Sequence, residues 1–457
     1  MELLAPAGNI EKLTAAYQYG ADAAYAGIDS FSLRARADNF DLEDAAAVAQ
    51  LKAAPAGRTA GGAEPEAPAG PGGVPATAPP EAAGDAGRTG GDPPQGARLR
   101  GARRLYCALN VYFHDADLAR LEERIEALAA FPFDAFIVSD IGVLSLLRRY
   151  APHVQWHLST QANCVNAEAA RFYRDLGFSR IIPGRELSLR EIEGIRTAVP
   201  EVELEVFVHG AMCLAYSGRC FLSAWMTGRS ANRGDCAHSC RWKYRPADRL
   251  YFLEEAKRQG EFYPALEGEN FTSILSSKDI RMIDHLGELR DAGVDGLKIE
   301  GRMKSSYYTA VVTRAYRKQL DHVLHGTPSA EEAADYTAEL DHVSRREPST
   351  GFYFSRENVE QPTEREYQRD YTFLGIIGPQ AGPNTFELVI KNQIRRGMHL
   401  EVLGPDLPSM RDEAFELTDE EGTTIDRANH GTRAFIRPGV PVAPGYMLRT
   451  YRPDAPN

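Results

Sequence analysis

Several well-known chemistries leave no trace in this sequence. There is no His-Glu-x-x-His pair for a hydrolytic zinc and no Gly-x-Ser-x-Gly elbow for a serine nucleophile. No strand-like run is followed by the Gly-x-Gly-x-x-Gly turn that cradles a dinucleotide. No window approaches the roughly 20 apolar residues that cross a bilayer. The opening, MELLAPAGNIEKLTAA, has neither a basic start nor a long apolar run, so no secretory leader is read there. The expectation is a cytoplasmic protein with no membrane partner. Excess positive charge is missing as well. A formal net charge of −12 argues against a generally adhesive nucleic-acid binder and leaves room for a local basic patch. Cysteine is sparse, six in 457 residues.

Four of those six fall close together, at Cys213, Cys220, Cys236 and Cys240, while Cys107 and Cys164 sit far away in apolar segments. Six, fifteen and three residues separate the successive thiols of the group. In a chain with no secretory signal, such a cluster reads as a metal site before it reads as disulfides. The first gap is wider than the two-residue spacing of most zinc knuckles. A structural zinc loop and a four-thiolate iron–sulfur cluster both fit, and free buried thiols are the plain alternative. Gly, Ser, Asn and Arg between the cysteines suit a loop that wraps an ion and donates hydrogen bonds to sulfur. From Cys213 to Arg249 the chain carries seven basic residues against two acids, Asp235 and Asp248, a local balance of +5. That segment is either a solvated loop or a contact surface for phosphate or carboxylate.

Around this stretch the sequence keeps an alternating rhythm. Strand-like runs open near residues 2, 23, 104, 135, 155, 180, 204 and 296, and each is followed by a helix or a helix-bearing loop. ADLARLEERIEALAAF shows apolar residues at i, i+3, i+4 spacing, Asn9 and Ser188 stand at cap positions, and Gly177 and Gly293 stand at helix ends. Eight such units predict an α/β (β/α)8 TIM-like barrel over residues 1–326. Residues 54–104 are dominated by Ala, Gly and Pro, cannot bury a core face, and read as a disordered insertion. A cysteine-rich loop spans 210–245, and 327–367 reads as a helical linker. Short strands punctuated by Gly and Pro over 368–452 predict a small all-β barrel domain.

In a (β/α)8 barrel the working groups stand at the C-terminal ends of the strands. Those ends carry Asn110, Asp140, Ser159, Gln161, Asn163, Arg185, Glu186, His209, Lys298, Glu300 and Arg302. Arg185 and Arg302 offer planar donor forks for a small anionic co-substrate. Lys298 and Glu300, two apart on one strand, face the same way and are an acid–base pair or a structural ion pair. His209 is a ligand, a proton donor or a satisfied strand-end histidine. Cys–His catalysis is conceivable, with Cys213 four residues after His209, but four clustered thiols fit metal binding better than a lone nucleophile.

The run HGAMCLAYSGRCFLSAWMTGRSANRGDCAHSCRW resembles the signature of the collagenase-like U-32 peptidase family. ELLAPAGNIEKLTAAYQYGADAAYAG is similar to that family's opening, and LKIEGRMKSSYYTAVVTRAYR to its last barrel strand and helix. VIKNQIRRGMHLEVLGP and VPVAPGYMLR look like its C-terminal β-domain. The resemblance covers nearly everything but the insertion, and the two-domain layout is most like the branch implicated in forming 5-hydroxyuridine at the tRNA wobble position. It implies an oxygen-independent, prephenate-linked hydroxylation. It also implies a [4Fe-4S] cluster on Cys213, Cys220, Cys236 and Cys240. The partners to expect are then tRNA, with Lys391, Arg395 and Arg396 on its backbone, and an electron donor or cluster-assembly machinery. Two alternatives are a peptidase, as the family name suggests, and a zinc-stabilised RNA-binding factor.

Overall fold

The computed structural model describes residues 1–28, 39–54, 103–213, 278–326, 329–355, 368, 370–406 and 408–452. Within 214–277 it describes residues 215, 216, 219, 220, 222–227, 229, 236, 237 and 239 and four short strands at 252–254, 262–264, 266–268 and 271–273. Most of the predicted insertion, residues 55–102, lies outside the described residues.

Eight parallel strands form the wall of a barrel. They are β1 (Glu2–Pro6), β2 (Ala23–Gly27), β3 (Arg104–Leu109), β4 (Ala135–Val138), β5 (Gln155–Leu158), β6 (Arg180–Ile181), β7 (Glu203–Ala211) and β8 (Gly296–Ile299). Each pairs with the next, and β8 pairs with both β7, Leu297 opposite Val206, and β1, Leu297 opposite Leu3, so the sheet closes on itself. Runs such as AAYAG in β2 are buried along their whole length, as a parallel strand covered on both faces requires.

The wrapping helices are α1 (Ile10–Gln18), α2 (Ala45–Ala53), α3 (Asp115–Glu122), α4 (Ile125–Ala130), α5 (Leu144–Tyr150), α6 (Ala167–Asp175) and α7 (Leu189–Ala198). After α8 (Leu222–Thr227), which lies in the cysteine-rich loop, they continue with α9 (Leu286–Asp291), α10 (Ser306–His325) and α11 (Ala330–Glu339). Their starts follow the cap residues of the sequence. Asn9 accepts from the Lys12 amide, and Ser188 forms a reciprocal box with Glu191.

The stretch between barrel and β-domain does more than link them. After α11, Pro348–Ser349 pairs with Asp279–Arg281, which lies antiparallel to the end of β7. The buried hydroxyl of Tyr353 donates to the Phe207 carbonyl at 2.7 Å. This segment therefore extends the barrel wall beside β7.

The C-terminal domain is a seven-stranded antiparallel half-barrel between residues 371 and 451, with edges at Met410–Asp412 and Glu416–Thr418 and its own apolar core around Ile377, Leu417 and Ile436. It docks on α1 and α10. Tyr19 donates to the Leu403 carbonyl at 2.6 Å, and Leu403 and Met447 join the barrel's core. Arg314 of α10 reaches the Gly404 carbonyl at 2.9 Å and Glu339 at 2.5 Å, and Arg449 meets the same Glu339 at 2.9 Å.

A candidate active site at the mouth of the barrel

The C-terminal ends of β7 and β8 set the geometry of the mouth. The Glu300 amide donates to the His209 carbonyl at 2.9 Å. Next in the chain, Gly210 turns with φ +98°, and a Cβ there would stand 2.5 Å from the Glu300 carbonyl oxygen. Only glycine fits that close approach. From it the chain leaves the barrel into the cysteine-rich loop.

Arg185, in the loop after β6, lies with its guanidinium carbon 3.8 Å from the centroid of the Phe207 ring. Its side chain is 8% exposed and 3.7 Å from the Glu300 carboxylate, an ion-pair distance longer than a hydrogen bond. Among the described residues, Arg185 Nε is buried without a hydrogen-bond partner, as are Gln161 Oε1 and Glu186 Oε2. Burial raises the Glu186 pKa, with Arg185 opposing. A flat cation held on an aromatic face, with a buried donor unused, is suited to a planar anion. Arg302 is buried nearby, and Lys12 of α1 donates to its carbonyl at 3.2 Å.

Lys298 and Glu300 share a strand face but have different partners. Lys298 is buried inside the barrel, where Nζ donates to Glu205 at 2.7 Å and lies 4.4 Å from the Tyr25 ring centroid. Burial lowers its pKa and the Glu205 carboxylate opposes that. Glu205 also accepts from Arg180 at 2.8 Å, and Arg180 continues to Glu2 at 2.7 Å and Glu203 at 2.6 Å. The floor under the mouth is thus a buried ion network. Its signal in the sequence is a pair of acids, Glu203 and Glu205, at alternate positions of an otherwise apolar strand. The strand-end reading passed over them because they stand at the strand's other end.

His209 is placed elsewhere. It packs against Tyr308 and Tyr316 of α10, with ring centroids 6.0 and 5.5 Å away. Burial pushes its pKa down to about 3, against the pull of Asp279. The imidazole is therefore neutral at physiological pH and too weak a base to activate a thiol.

Among its described residues, the cysteine loop meets the barrel through Arg219. The Arg219 guanidinium carbon lies 5.6 Å from the Tyr112 ring centroid, and the Tyr112 hydroxyl donates to the Gln161 carbonyl at 3.0 Å. Arg219 of the loop thereby reaches the segment after β3, which is itself tied to the segment after β5. Inside it, the Ser223 hydroxyl donates to the Arg229 carbonyl and accepts from the Ala237 amide, both at 2.8 Å. Cys213 is exposed, Cys220 and Cys236 are half-buried, and none is in a disulfide. Free thiols on one short loop are the donor type a soft metal or an iron–sulfur cluster takes. Cys240 lies outside the described residues. Among the described residues no three His, Cys, Asp or Glu side chains come together as a metal site.

The family model for peptidase family U32 matches residues 8–57 and 95–363, and that for the U32 C-terminal domain matches 369–449. The chain is 32% identical over 433 residues to "tRNA hydroxylation protein P1" of Bacillus subtilis, covering 94% of this chain and 89% of that protein. It is 31% identical to "tRNA hydroxylation protein P" of Escherichia coli, covering 93% and 92%. It is also 28% identical to a "Collagenase" of Porphyromonas gingivalis, covering 99% and 98%. With the family models matched over both the barrel and the β-domain, this chain belongs to peptidase family U32.

Proposed function

We propose that this protein is an RNA-modifying enzyme that hydroxylates a base of tRNA, in its finer form the wobble uridine to 5-hydroxyuridine. The observation that carries the reading is near full-length likeness, across both domains, to relatives named as tRNA hydroxylation proteins. The arrangement of the mouth supports it. A base hydroxylase must admit one splayed nucleotide, and single-stranded anticodon loops supply such bases. Arg219 over the Tyr112 ring, beside the strand ends, offers a cation and an aromatic face for such a base.

In this reading Cys213, Cys220, Cys236 and Cys240 would hold a [4Fe-4S] cluster, which when bound supplies redox or Lewis-acid chemistry. Arg185, flat on Phe207, would hold the carboxylate of an anionic co-substrate such as prephenate, and Glu186 would stay protonated longer than an ordinary carboxyl and so could donate a proton. An electron donor would complete the set of partners.

The peptidase reading has a relative's name behind it. Against it stands His209, shut between two tyrosines with a depressed pKa, which gives Cys213 no working base from that histidine.

The test is a nucleoside profile of bulk tRNA from a strain lacking the gene, with the purified chain handled anaerobically alongside. Loss of one hydroxylated uridine, together with about four irons and four sulfides per chain that vanish in Cys213→Ala, is the expected result. An unchanged profile would refute the proposed reaction. Zinc without sulfide would refute the cluster.

A further inference from the structure

The β-domain carries a small ribbon whose charges oppose one another. Ile394–Arg395 pairs antiparallel with Arg427–Ala428, and the register sets Arg395 directly opposite Arg427. Arg396 follows in the turn just after the strand, its amide donating to the Asp426 carbonyl at 2.9 Å. All three arginines are exposed. Three other exposed arginines of the domain have acids: Arg433 has Glu387 at 3.0 Å, Arg437 has Glu416 at 3.8 Å and Arg411 has Glu413 at 3.6 Å. Arg395, Arg396 and Arg427 have none among the described residues. Like charges placed directly across a strand pair repel. An arrangement that costs stability in the free protein is relieved by an anion lying along it.

The ribbon is also fixed relative to the mouth. Lys391 reaches Glu11 at the start of α1 at 2.8 Å, and Ser306 at the start of α10 donates to the same Glu11 at 2.6 Å. Helix starts follow strand ends, so this contact lies on the mouth side of the barrel. Arg395 is four residues further on, at most about 14 Å of extended chain away. Domain movement is restrained by Arg314 and Arg449, buried on the shared Glu339.

We propose that Arg395, Arg396 and Arg427 form a docking strip for the phosphate backbone of the RNA substrate, outside the barrel and separate from base recognition. This rests on the RNA-hydroxylase reading and assigns a place to the body of the RNA while one base occupies the mouth. Guanidinium groups in a row, without acids, fit a run of phosphates better than a single small anion.

The experiment uses the full chain, purified anaerobically, with an unmodified tRNA transcript. Affinity is measured by fluorescence anisotropy across a salt series, and hydroxylation by nucleoside analysis. The triple variant Arg395→Ala/Arg396→Ala/Arg427→Ala is compared with Arg437→Ala, whose arginine has an acidic partner. Each phosphate contact removed is expected to flatten the salt slope by about 1. The triple variant should therefore lose up to about three units of slope, with weaker tRNA binding and a raised KM. Its kcat at saturating tRNA should be unchanged, as should the binding by Arg437→Ala. Thermal melting of the variant checks that it folds, and removing the repulsion should leave the melting temperature equal or higher. Wild-type hydroxylation with an unchanged slope in the triple variant overturns the strip and leaves the hydroxylase reading standing. A wild-type chain that neither binds nor modifies tRNA overturns both.

Discussion

At the scale of single residues, Lys298 and Glu300 show how two positions with the same orientation acquire different work. Lys298 stabilises a buried carboxylate. Removing one partner of such a pair typically costs about 3–5 kcal/mol, because a charge is left without compensation. Lys298→Met should therefore lower the melting temperature markedly, and by more than Glu300→Gln, whose ion pair with Arg185 spans 3.7 Å. Thermal melts of the two variants check this, and an equal effect would mean the ion network is not what Lys298 serves. Arg185 makes the converse case. Its guanidinium lies over Phe207 with a long ion pair to Glu300, and its buried Nε has no hydrogen-bond partner among the described residues. Arg185→Ala should weaken the anionic co-substrate by about 10- to 100-fold, the worth of a charge-assisted hydrogen bond. Arg185→Lys should rescue little, since a lysine is a point charge and cannot lie flat on Phe207. Titration calorimetry of co-substrate binding distinguishes this from a general loss of fold.

At the scale of elements, the decisive feature is the junction of β7 with the cysteine loop. Gly210 combines a left-handed φ with backbone contact to the Glu300 carbonyl. In Gly210→Ala the clash is with main chain, which cannot swing aside. The expected cost is about 1–3 kcal/mol, and the ends of β7 and β8 should separate. Because Cys213 follows three residues later, the metal content of the proposed cluster should fall together with melting temperature. A variant that keeps its full metal content while melting early would show that the loop is set by its own contacts, such as the Ser223 bridge, and not by the strand end.

At the scale of the whole molecule, the two domains share buried charge. Glu339 lies between Arg314 and Arg449. Burial alone would raise its pKa, but the Arg314 charge, the His342 hydrogen bond and the Arg449 charge together lower it from 4.5 to about 2. A pKa lower in the folded state means that the stabilisation is complete above about pH 4.5 and drains away as the pH falls toward 2. The gap in stability between wild type and Glu339→Gln should be widest near neutral pH and shrink on acidification. Denaturant melts at a series of pH values measure it, and a gap independent of pH would show that the carboxylate charge is not what joins the domains.

Much of this was written in the chain itself. Apolar runs of four to nine residues alternating with capped helices call for parallel strands covered on both faces, and eight of them close a barrel. Strand ends could be located, so Arg185, Glu300 and the start of the cysteine loop could be placed at one mouth. Local patterns, repeating every two or every 3.6 residues, carry that much because burial of one face is a local demand. What pairs with what across the barrel is not local. That Lys298 turns to Glu205, that His209 faces α10, that residues 348–353 join the wall beside β7, and that Arg395 meets Arg427 depend on contacts between residues tens to hundreds of positions apart. Those choices were made by packing and by the need to satisfy buried charge, and only the tertiary structure could decide them.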